Sequence, residues 1–166
     1  DFFIYATAAA LVFRHVFFPA DMDPVIGLIV AFGTTSFGYI GRPIGALLFG
    51  HLGDKYGRKP VLVATLLIMG VGTFGIGLLP SYETVGPIAP LLLILLRLLQ
   101  GIAMGGEWGG AALLTIEHAP EGRKAFFGSF AQLGSSVGAT LSSVAFSISE
   151  HIGGGLIEGS WRYPFL

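Results

Sequence analysis

The sequence predicts an all-α protein, a polytopic bundle of five transmembrane helices followed by the start of a sixth. Charged residues make up 11% of the 166 residues, whereas a soluble domain carries about 25%. Long apolar runs alternate with short polar turns, and each run approaches the ~20 residues that a helix needs to cross a bilayer. A soluble chain would need a polar surface that this composition cannot supply, so we expect an integral membrane protein.

The apolar runs place the predicted helices in order along the chain. The first covers roughly 2–18 and ends at Pro19, before a short acidic turn. The second covers roughly 25–52 and contains Pro43, which removes a backbone donor and can kink a helix. The remaining helices are expected at 60–79, 91–117 and 125–149, with the start of the sixth at 161–166. Because the sequence starts inside one apolar run and stops at the start of another, we expect residues 1–166 to be a truncated six-helix membrane domain.

A basic hinge between the second and third predicted helices orients the chain. The hinge, segment 50–60, carries Lys55, Arg58 and Lys59. Basic residues in short loops tend to remain in the cytoplasm. The turn after the fourth helix carries further basic residues, and alternation of the helices places it on the same side as the hinge. We therefore expect both basic loops to be cytoplasmic.

Small residues four positions apart allow helices to approach closely in lipid. Such pairs occur at Gly41/Gly45, Gly101/Gly105, Gly105/Gly109, Gly106/Gly110 and Gly134/Gly138. Packing alone explains these glycines, and loosely held glycine seams would also let helices rock against each other. The sequence leaves both interpretations open.

Ionisable residues inside apolar spans cost about 2.5–3.5 kcal/mol each on insertion scales, so each is a candidate for function. The candidates are Asp1, Arg42, Arg97 and Glu107. Gln100 follows Arg97 by three residues and shares its helix face, and Glu107 continues this polar stripe two turns further. At about ten residues from the cytoplasmic end, or ~15 Å, Glu107 is expected near the middle of the membrane.

Each of these charges has a structural and a functional interpretation. Arg42 offers a cation that suits a carboxylate, or else a structural partner for Asp1 or Glu107. Arg97 could handle substrate or protons, or it could form an ion pair or extend toward the membrane surface. Burial and a nearby cation act in opposite senses on a carboxylate, so Glu107 could take up and release a proton, or could simply hold helices together.

The composition also excludes several kinds of site. The net charge is −1 and no Lys/Arg-rich arm is present, so no nucleic-acid partner is expected. Without cysteine, the chain has no disulfide, thiolate metal ligand or cysteine nucleophile. The four histidines lie in different segments without metal-ligand spacing. We expect no metal, no cofactor and no enzyme.

Two segments resemble motifs of the major facilitator superfamily. The hinge sequence GHLGDKYGRK, at 50–59, resembles the G-x-L-x-D-x-x-G-R-K loop between the second and third helices. The sequence RLLQGIAMG, at 97–105, resembles the R-x-x-Q-G-x-x-x-G pattern of the fourth helix. Further segments resemble the metabolite:proton symporter family, whose members carry shikimate, α-ketoglutarate, citrate and proline or betaine. These segments are 1–5, 42–45, 101–112, 117–124 and 161–165.

The resemblance implies a secondary active transporter with twelve helices in two halves that works by alternating access. This chain matches the N-terminal half and lacks the C-terminal half. The whole protein would carry a small organic carboxylate or zwitterion with a proton across a bacterial inner membrane. The substrate and proton pathway would contain Arg42, Arg97, Gln100 and Glu107. The inner gate would contain Gly53, Asp54, Gly57, Arg58, Lys59, Glu117 and Arg123.

The alternative is a membrane protein that does not transport. It would be a truncated product, or a helical module that needs a partner half, because one half alone cannot form a cavity with two walls.

Overall fold

The structure is a computed structural model that describes the backbone of residues 2–166 and their side chains except those at positions 108, 113 and 131. Within this range the chain is helical, with short turns and no β-strand, and this confirms the predicted all-α class. Asp1, a candidate intramembrane charge, lies outside the described residues.

The first predicted helix is divided in two. Helix α1 spans Phe2–Leu11 and helix α2 spans Phe13–Phe17. Val12 between them has φ −130° and ψ −41°, outside the helical range, so the prediction of one continuous helix over 2–18 is wrong here. Val12 and the neighbouring Phe13 are both fully buried. The break in the helix lets these two consecutive side chains enter the same core, and packing overrides local propensity.

Helix α3 spans Pro24–Tyr56 and begins with a strong cap. The Asp23 carboxylate accepts hydrogen bonds from two backbone N–H groups of the first turn, at 2.8 and 3.2 Å, which satisfies donors that the helix leaves free. The helix continues through Pro43 without interruption. It ends at Tyr56 and is followed by Gly57, whose φ of +92° suits glycine, and helix α4 then spans Arg58–Leu78.

The second half of the chain contains two long helices and two short ones. Helix α5, Tyr82–Val85, lies within the predicted loop, and helix α6 spans Ile88–Glu117. Helix α7 spans Lys124–Gly153, and a 3₁₀ helix, Ser160–Phe165, ends the chain. In the described part of the chain, three helices are long and apolar enough to cross a membrane, namely α3, α4 and α6. Helix α7 is equally long but richer in serine.

Helices α3 and α6 form the closest contact in the bundle. A β-carbon added at Gly41 would lie 2.7 Å from the carbonyl oxygen of Leu98. One added at Gly45, Gly101 or Gly105 would overlap the backbone of the facing helix. These glycines therefore serve helix packing, as small residues do in membranes.

The other predicted glycine pairs behave differently. A β-carbon at Gly109 or Gly134 would meet no other atom within 4 Å. Gly106, Gly110 and Gly138 face side chains instead of a helix backbone. Spacing alone therefore did not distinguish glycines at a helix contact from glycines beside open space.

An aromatic cluster holds the 3₁₀ helix against the start of the chain. The Trp161 ring meets Phe13 and Phe17 edge to face, with centroids 6.0 and 5.6 Å apart. Phe165 packs against Trp161 at 5.9 Å and against Phe146 of α7 at 6.4 Å. The cluster ties α2, α7 and the 3₁₀ helix together at the end of the bundle opposite the basic hinge.

Candidate functional site

A buried polar network joins α6 to α4. Arg97 is 2% exposed and Gln100 is 1% exposed. Nη1 of Arg97 donates to Oε1 of Gln100 at 3.2 Å, and Nε2 of Gln100 donates to Oγ1 of Thr73 at 2.8 Å. The predicted stripe of Arg97 and Gln100 thus continues into α4 through Thr73, a residue that the sequence analysis did not identify.

Aromatic rings from α1 cover the Arg97 guanidinium. Its Cζ lies 4.1 Å from the ring centroid of Tyr5 and 4.9 Å from that of Phe2. Such cation–π contacts stabilise a cation away from water. Tyr5 is fully buried, and its hydroxyl lies 2.5 Å from Oγ1 of Thr34. Since Thr34 donates its own proton to the carbonyl of Ala31, the Tyr5 hydroxyl is the donor in this pair.

Arg42 lies in the wall of an open cleft between α1, α3, α6 and α7. Its Cζ lies 4.3 Å from the ring centroid of Tyr39 and 5.2 Å from that of Phe2. Its Nη2 donates to the sulfur of Met104 at 3.2 Å. The cleft encloses about 640 Å³, within the range of about 300–1,000 Å³ found for small-molecule sites. Its lining residues are Phe2, Phe3, Tyr39, Arg42, Pro43, Ala46, Met104, Gly105 and Ser135.

Neither arginine has an ion pair with a carboxylate among residues 2–166. In the same range, the buried Nε atoms of Arg42 and Arg97 have no hydrogen-bond partner. The pair between Arg42 and Glu107 that the sequence suggested is absent, and the suggested pair with Asp1 lies outside the described residues. A cation such as Arg42 in the wall of an apolar cleft can attract and orient an anion.

Glu107 is half-buried on α6 and lies apart from the arginines. Its Oε2 is buried and has no hydrogen-bond partner within the described residues. Glu107 does not line the cleft that contains Arg42. The structure therefore brings Arg42, Arg97 and Gln100 together around Phe2, and it places Glu107 outside this group.

The hinge carries a small ionic cluster centred on Arg58. Nη2 of Arg58 lies 3.5 Å from the Asp54 carboxylate, and its Nε lies 3.9 Å from the carboxylate of Glu117. Glu117 ends α6, so the cluster connects the hinge to that helix. All three side chains are more than a third exposed, and such exposed pairs contribute only about 0–1 kcal/mol each. A cluster this weak can open and close readily.

The other predicted gate residues surround this cluster. Gly53 is buried in the last turns of α3, and Gly57 separates α3 from α4. Lys59 and Arg123 are exposed and form no ion pair with another residue of the described chain. Within the described residues, the ion pair of Glu117 is made with Arg58 of α4 and not with Arg123 of the following turn.

The sequence matches a known protein family over almost its whole length. The model of the family described as "Sugar (and other) transporter" matches residues 5–166. No solved structure matches the chain.

Three relatives illustrate the similarity. The inner membrane metabolite transport protein YhjE of Escherichia coli (strain K12) is 48% identical over 100% of this chain and 38% of its own length. The shikimate transporter of the same strain is 46% identical over 100% of this chain and 38% of its own length. The proline/betaine transporter of Salmonella typhimurium is 42% identical over 99% of this chain and 33% of its own length. The chain thus spans little more than a third of the relatives that it matches.

These matches confirm the predicted resemblance and a transporter family, not an enzyme family. Together with the apolar helices of the bundle, they identify a multi-pass membrane protein. The chain belongs to the sugar (and other) transporter family of the major facilitator superfamily, within the group that includes shikimate and proline/betaine transporters.

Proposed function

We propose that residues 1–166 form the N-terminal half of a secondary active transporter. The whole protein carries a small organic carboxylate or zwitterion together with a proton across a bacterial inner membrane, by alternating access. One observation above all supports this function: Arg42, without a carboxylate partner among residues 2–166, lines an apolar cleft of about 640 Å³. The relatives span far more sequence than this chain, so a second half supplies the opposite wall of the cavity.

Arg42 is the first contact for the substrate in this proposal. It faces the cleft, and its guanidinium presents a planar fork that matches a carboxylate. Shikimate, proline and betaine, after which two of the relatives are named, share a carboxylate and differ elsewhere. Arg42, which lies on this half of the protein, therefore binds the carboxylate that these substrates share. The second half distinguishes the remaining parts of each substrate.

Glu107 carries the proton in this proposal. Its buried, unpartnered oxygen lies on the same helix as Arg97 and Gln100. The separation of Glu107 from the arginines lets the carboxylate change its charge without giving up an ion pair. In this proposal Arg97 and Gln100 link Glu107 to the cleft at Arg42. Both residues lie on α6 with Glu107, and Gln100 binds Arg97 as well as Thr73 of α4.

The hinge forms the inner gate in this proposal, and both basic loops face the cytoplasm. Arg58 holds Asp54 and Glu117 in the closed gate, Gly53 and Gly57 give the chain room to bend, and Lys59 and Arg123 lie on the cytoplasmic face. The weak pairs of Arg58 suit a contact that breaks in every transport cycle.

Replacement of Glu107 tests the proposed function in the full-length protein that contains this segment. The protein is reconstituted into liposomes, and uptake of shikimate, proline and betaine is measured with and without an imposed proton gradient. Glu107→Gln should abolish gradient-driven uptake and preserve exchange of substrate at equal pH, because the amide cannot carry a proton. Glu121→Gln, in the exposed turn after α6, should leave both rates unchanged. Gradient-driven uptake that survives Glu107→Gln would remove the proton role.

An uptake assay on the 166-residue chain alone distinguishes a transporter built from two halves from the non-transporting alternative. Liposomes that contain only this chain should show no uptake of the three substrates, since half of the cavity is absent. Adding a separately expressed second half should restore uptake. Flux through the chain alone would overturn the arrangement in two halves.

A further inference from the structure

Met104 gives the Arg42 guanidinium a sulfur partner inside the cleft. Nη2 of Arg42 donates to Sδ of Met104 at 3.2 Å. In the part of the chain that the structure describes, this is the one hydrogen bond of the guanidinium, since its Nε has no partner. A thioether is only a weak acceptor. The guanidinium is therefore held loosely on this side and keeps its capacity for a stronger acceptor.

The position of Met104 sets it apart from the other methionines of the chain. Met104 lines the open cleft, and its side chain is partly exposed. Met69 on α4 is 7% exposed, and Met22 packs against the aromatic core beside α2. Neither of these two lines the cleft. A small oxidant that enters the cleft therefore reaches Met104, whereas packing shields Met69.

We propose that Met104 is a site of reversible oxidation that controls the carboxylate contact of Arg42. The proposal rests on the function proposed above, in which Arg42 binds the carboxylate of the substrate. Oxidation to the sulfoxide converts an apolar side chain into a polar one with an oxygen acceptor. Arg42 then donates charge-assisted hydrogen bonds to Met104 of its own protein. The same donors are no longer free for the substrate, so oxidation closes the site.

The oxidation is balanced with a peroxide as the oxidant. A lone pair of the Met104 sulfur attacks one oxygen of hydrogen peroxide, so that an S–O bond forms and the O–O bond breaks. The departing hydroxide takes the remaining proton and leaves as water. Sulfur loses an electron pair, and the peroxide gains it. The flexible methionine side chain lets the new oxygen turn toward Nη2 of Arg42. Methionine sulfoxide reductases reverse the modification.

Oxidation of the full-length protein in detergent tests the modification without a transport measurement. Dilute hydrogen peroxide is added, and the sulfoxide at each methionine is quantified by mass spectrometry. Met104 should be oxidised several-fold faster than Met69. Phenylglyoxal, which modifies accessible guanidinium groups, should then react several-fold more slowly with Arg42 relative to the exposed Arg123. In Met104→Leu protein, peroxide should leave the reactivity of Arg42 unchanged. Equal oxidation of the two methionines, or an Arg42 that reacts equally before and after oxidation, would overturn the proposal.

Binding of propionate tests the effect on the carboxylate contact. Peroxide should weaken binding to the wild type about tenfold, the equivalent of one charge-assisted hydrogen bond, and methionine sulfoxide reductases should restore it. Met69→Leu should keep this sensitivity, and Met104→Leu should lose it. Met104→Gln, whose amide oxygen imitates the sulfoxide, should bind propionate weakly without peroxide. Sensitivity that persists in Met104→Leu, or a Met104→Gln protein that binds as tightly as wild type, would show that Met104 does not control Arg42.

Arg42→Gln separates this proposal from the function on which it rests. If Arg42→Gln binds propionate as tightly as wild type, Arg42 is not the carboxylate contact and the proposed function loses its main support. The oxidation of Met104 and the protection of Arg42 from phenylglyoxal do not depend on that role. If Arg42→Gln weakens the binding of propionate but Met104 resists peroxide, the proposed function stands and the oxidation site is overturned.

Discussion

The buried guanidinium of Arg97 is stabilised by contacts with a few individual side chains. A guanidinium at 2% exposure would be strongly unfavourable in apolar surroundings without partners. Gln100 provides a hydrogen-bond acceptor, while Tyr5 and Phe2 provide ring faces. Helices α1 and α6 therefore share the stabilisation of this charge, and α4 supports it through the bond from Gln100 to Thr73.

Thr73→Val tests the network at the residue scale. Valine keeps the shape of threonine but removes the acceptor for the buried Gln100 amide, so we expect a loss of about 1–3 kcal/mol in the free energy of unfolding. The control is Thr65→Val on the same helix, because the Thr65 hydroxyl is also buried but bonds only to the carbonyl of Leu62 in its own helix. Unfolding is measured by denaturant titration of the full-length protein in detergent. Equal losses in both variants would contradict the network.

The sequence predicted only part of this residue-scale arrangement. Arg97 and Gln100 could be paired from their spacing, since residues three apart meet on one helix face. Tyr5 and Phe2 reach Arg97 from α1, and Thr73 reaches Gln100 from α4. A single sequence carries no information on the register between helices. Glu107 shows the same limit, because its place on the predicted stripe did not bring it into the cleft.

At the scale of the elements, the α3–α6 contact organises the bundle. Its glycines allow backbone to meet backbone, so Arg42 and Arg97 are carried on helices whose separation is fixed by contact. Larger residues would push the two helices apart and would alter the distance between the arginines as well as the stability.

Gly45→Ala tests this contact. The added methyl group would overlap the carbonyl of Ile102, so we expect a loss of at least about 2 kcal/mol in unfolding free energy, as for an overpacked core. Gly33→Ala on the same helix is the matched control, because a β-carbon there meets no other atom within 4 Å. The two variants are compared by denaturant titration in detergent. A stable Gly45→Ala protein would show that α3 and α6 are not in backbone contact.

Arg162 connects two elements at the opposite end of the bundle. Its Nη1 donates to the carbonyl oxygens of Gly77 and Leu79 at 2.5 and 2.8 Å, and these carbonyls end α4. Arg162→Gln should therefore cost about 1.5–3 kcal/mol of unfolding free energy. Arg162→Lys, which keeps one donor group, should cost less. If both variants unfold like wild type, Arg162 does not cap α4.

The break at Val12 shows why some elements escaped prediction. An apolar run over 2–18 has the composition of one helix, and nothing in its order signals an interruption. The break depends on Trp161 and Phe165, which are distant in sequence and fill the space beside Phe13. By contrast, α3, α4 and α6 were predictable, because length and hydropathy suffice for a membrane helix.

At the scale of the whole molecule, the residues of the bundle lie in three distinct environments. Apolar side chains such as Leu67, 64% exposed, cover the outside of the helices. Polar hinges lie at the ends, and the cleft with Arg42 lies within. Composition predicted the apolar outer surface, and the orientation expected from the basic hinge stays a prediction. The cleft required the structure, because its wall combines residues of four helices.

We propose a membrane domain whose hinge faces the cytoplasm and whose cleft at Arg42 is open to water. The most direct test is labelling of single cysteines in the full-length protein, after any cysteines outside this segment are replaced. The variants Lys55→Cys, Glu83→Cys, Ser135→Cys and Leu67→Cys sample the hinge, the α5 loop, the cleft and the lipid face. In intact cells a small, charged thiol reagent should label position 83 at once and position 55 only after permeabilisation. Position 135 should react when the cleft is open to water, and position 67 should stay unlabelled. Labelling of position 55 from outside the cell, or of position 67 as fast as 135, would contradict the claim.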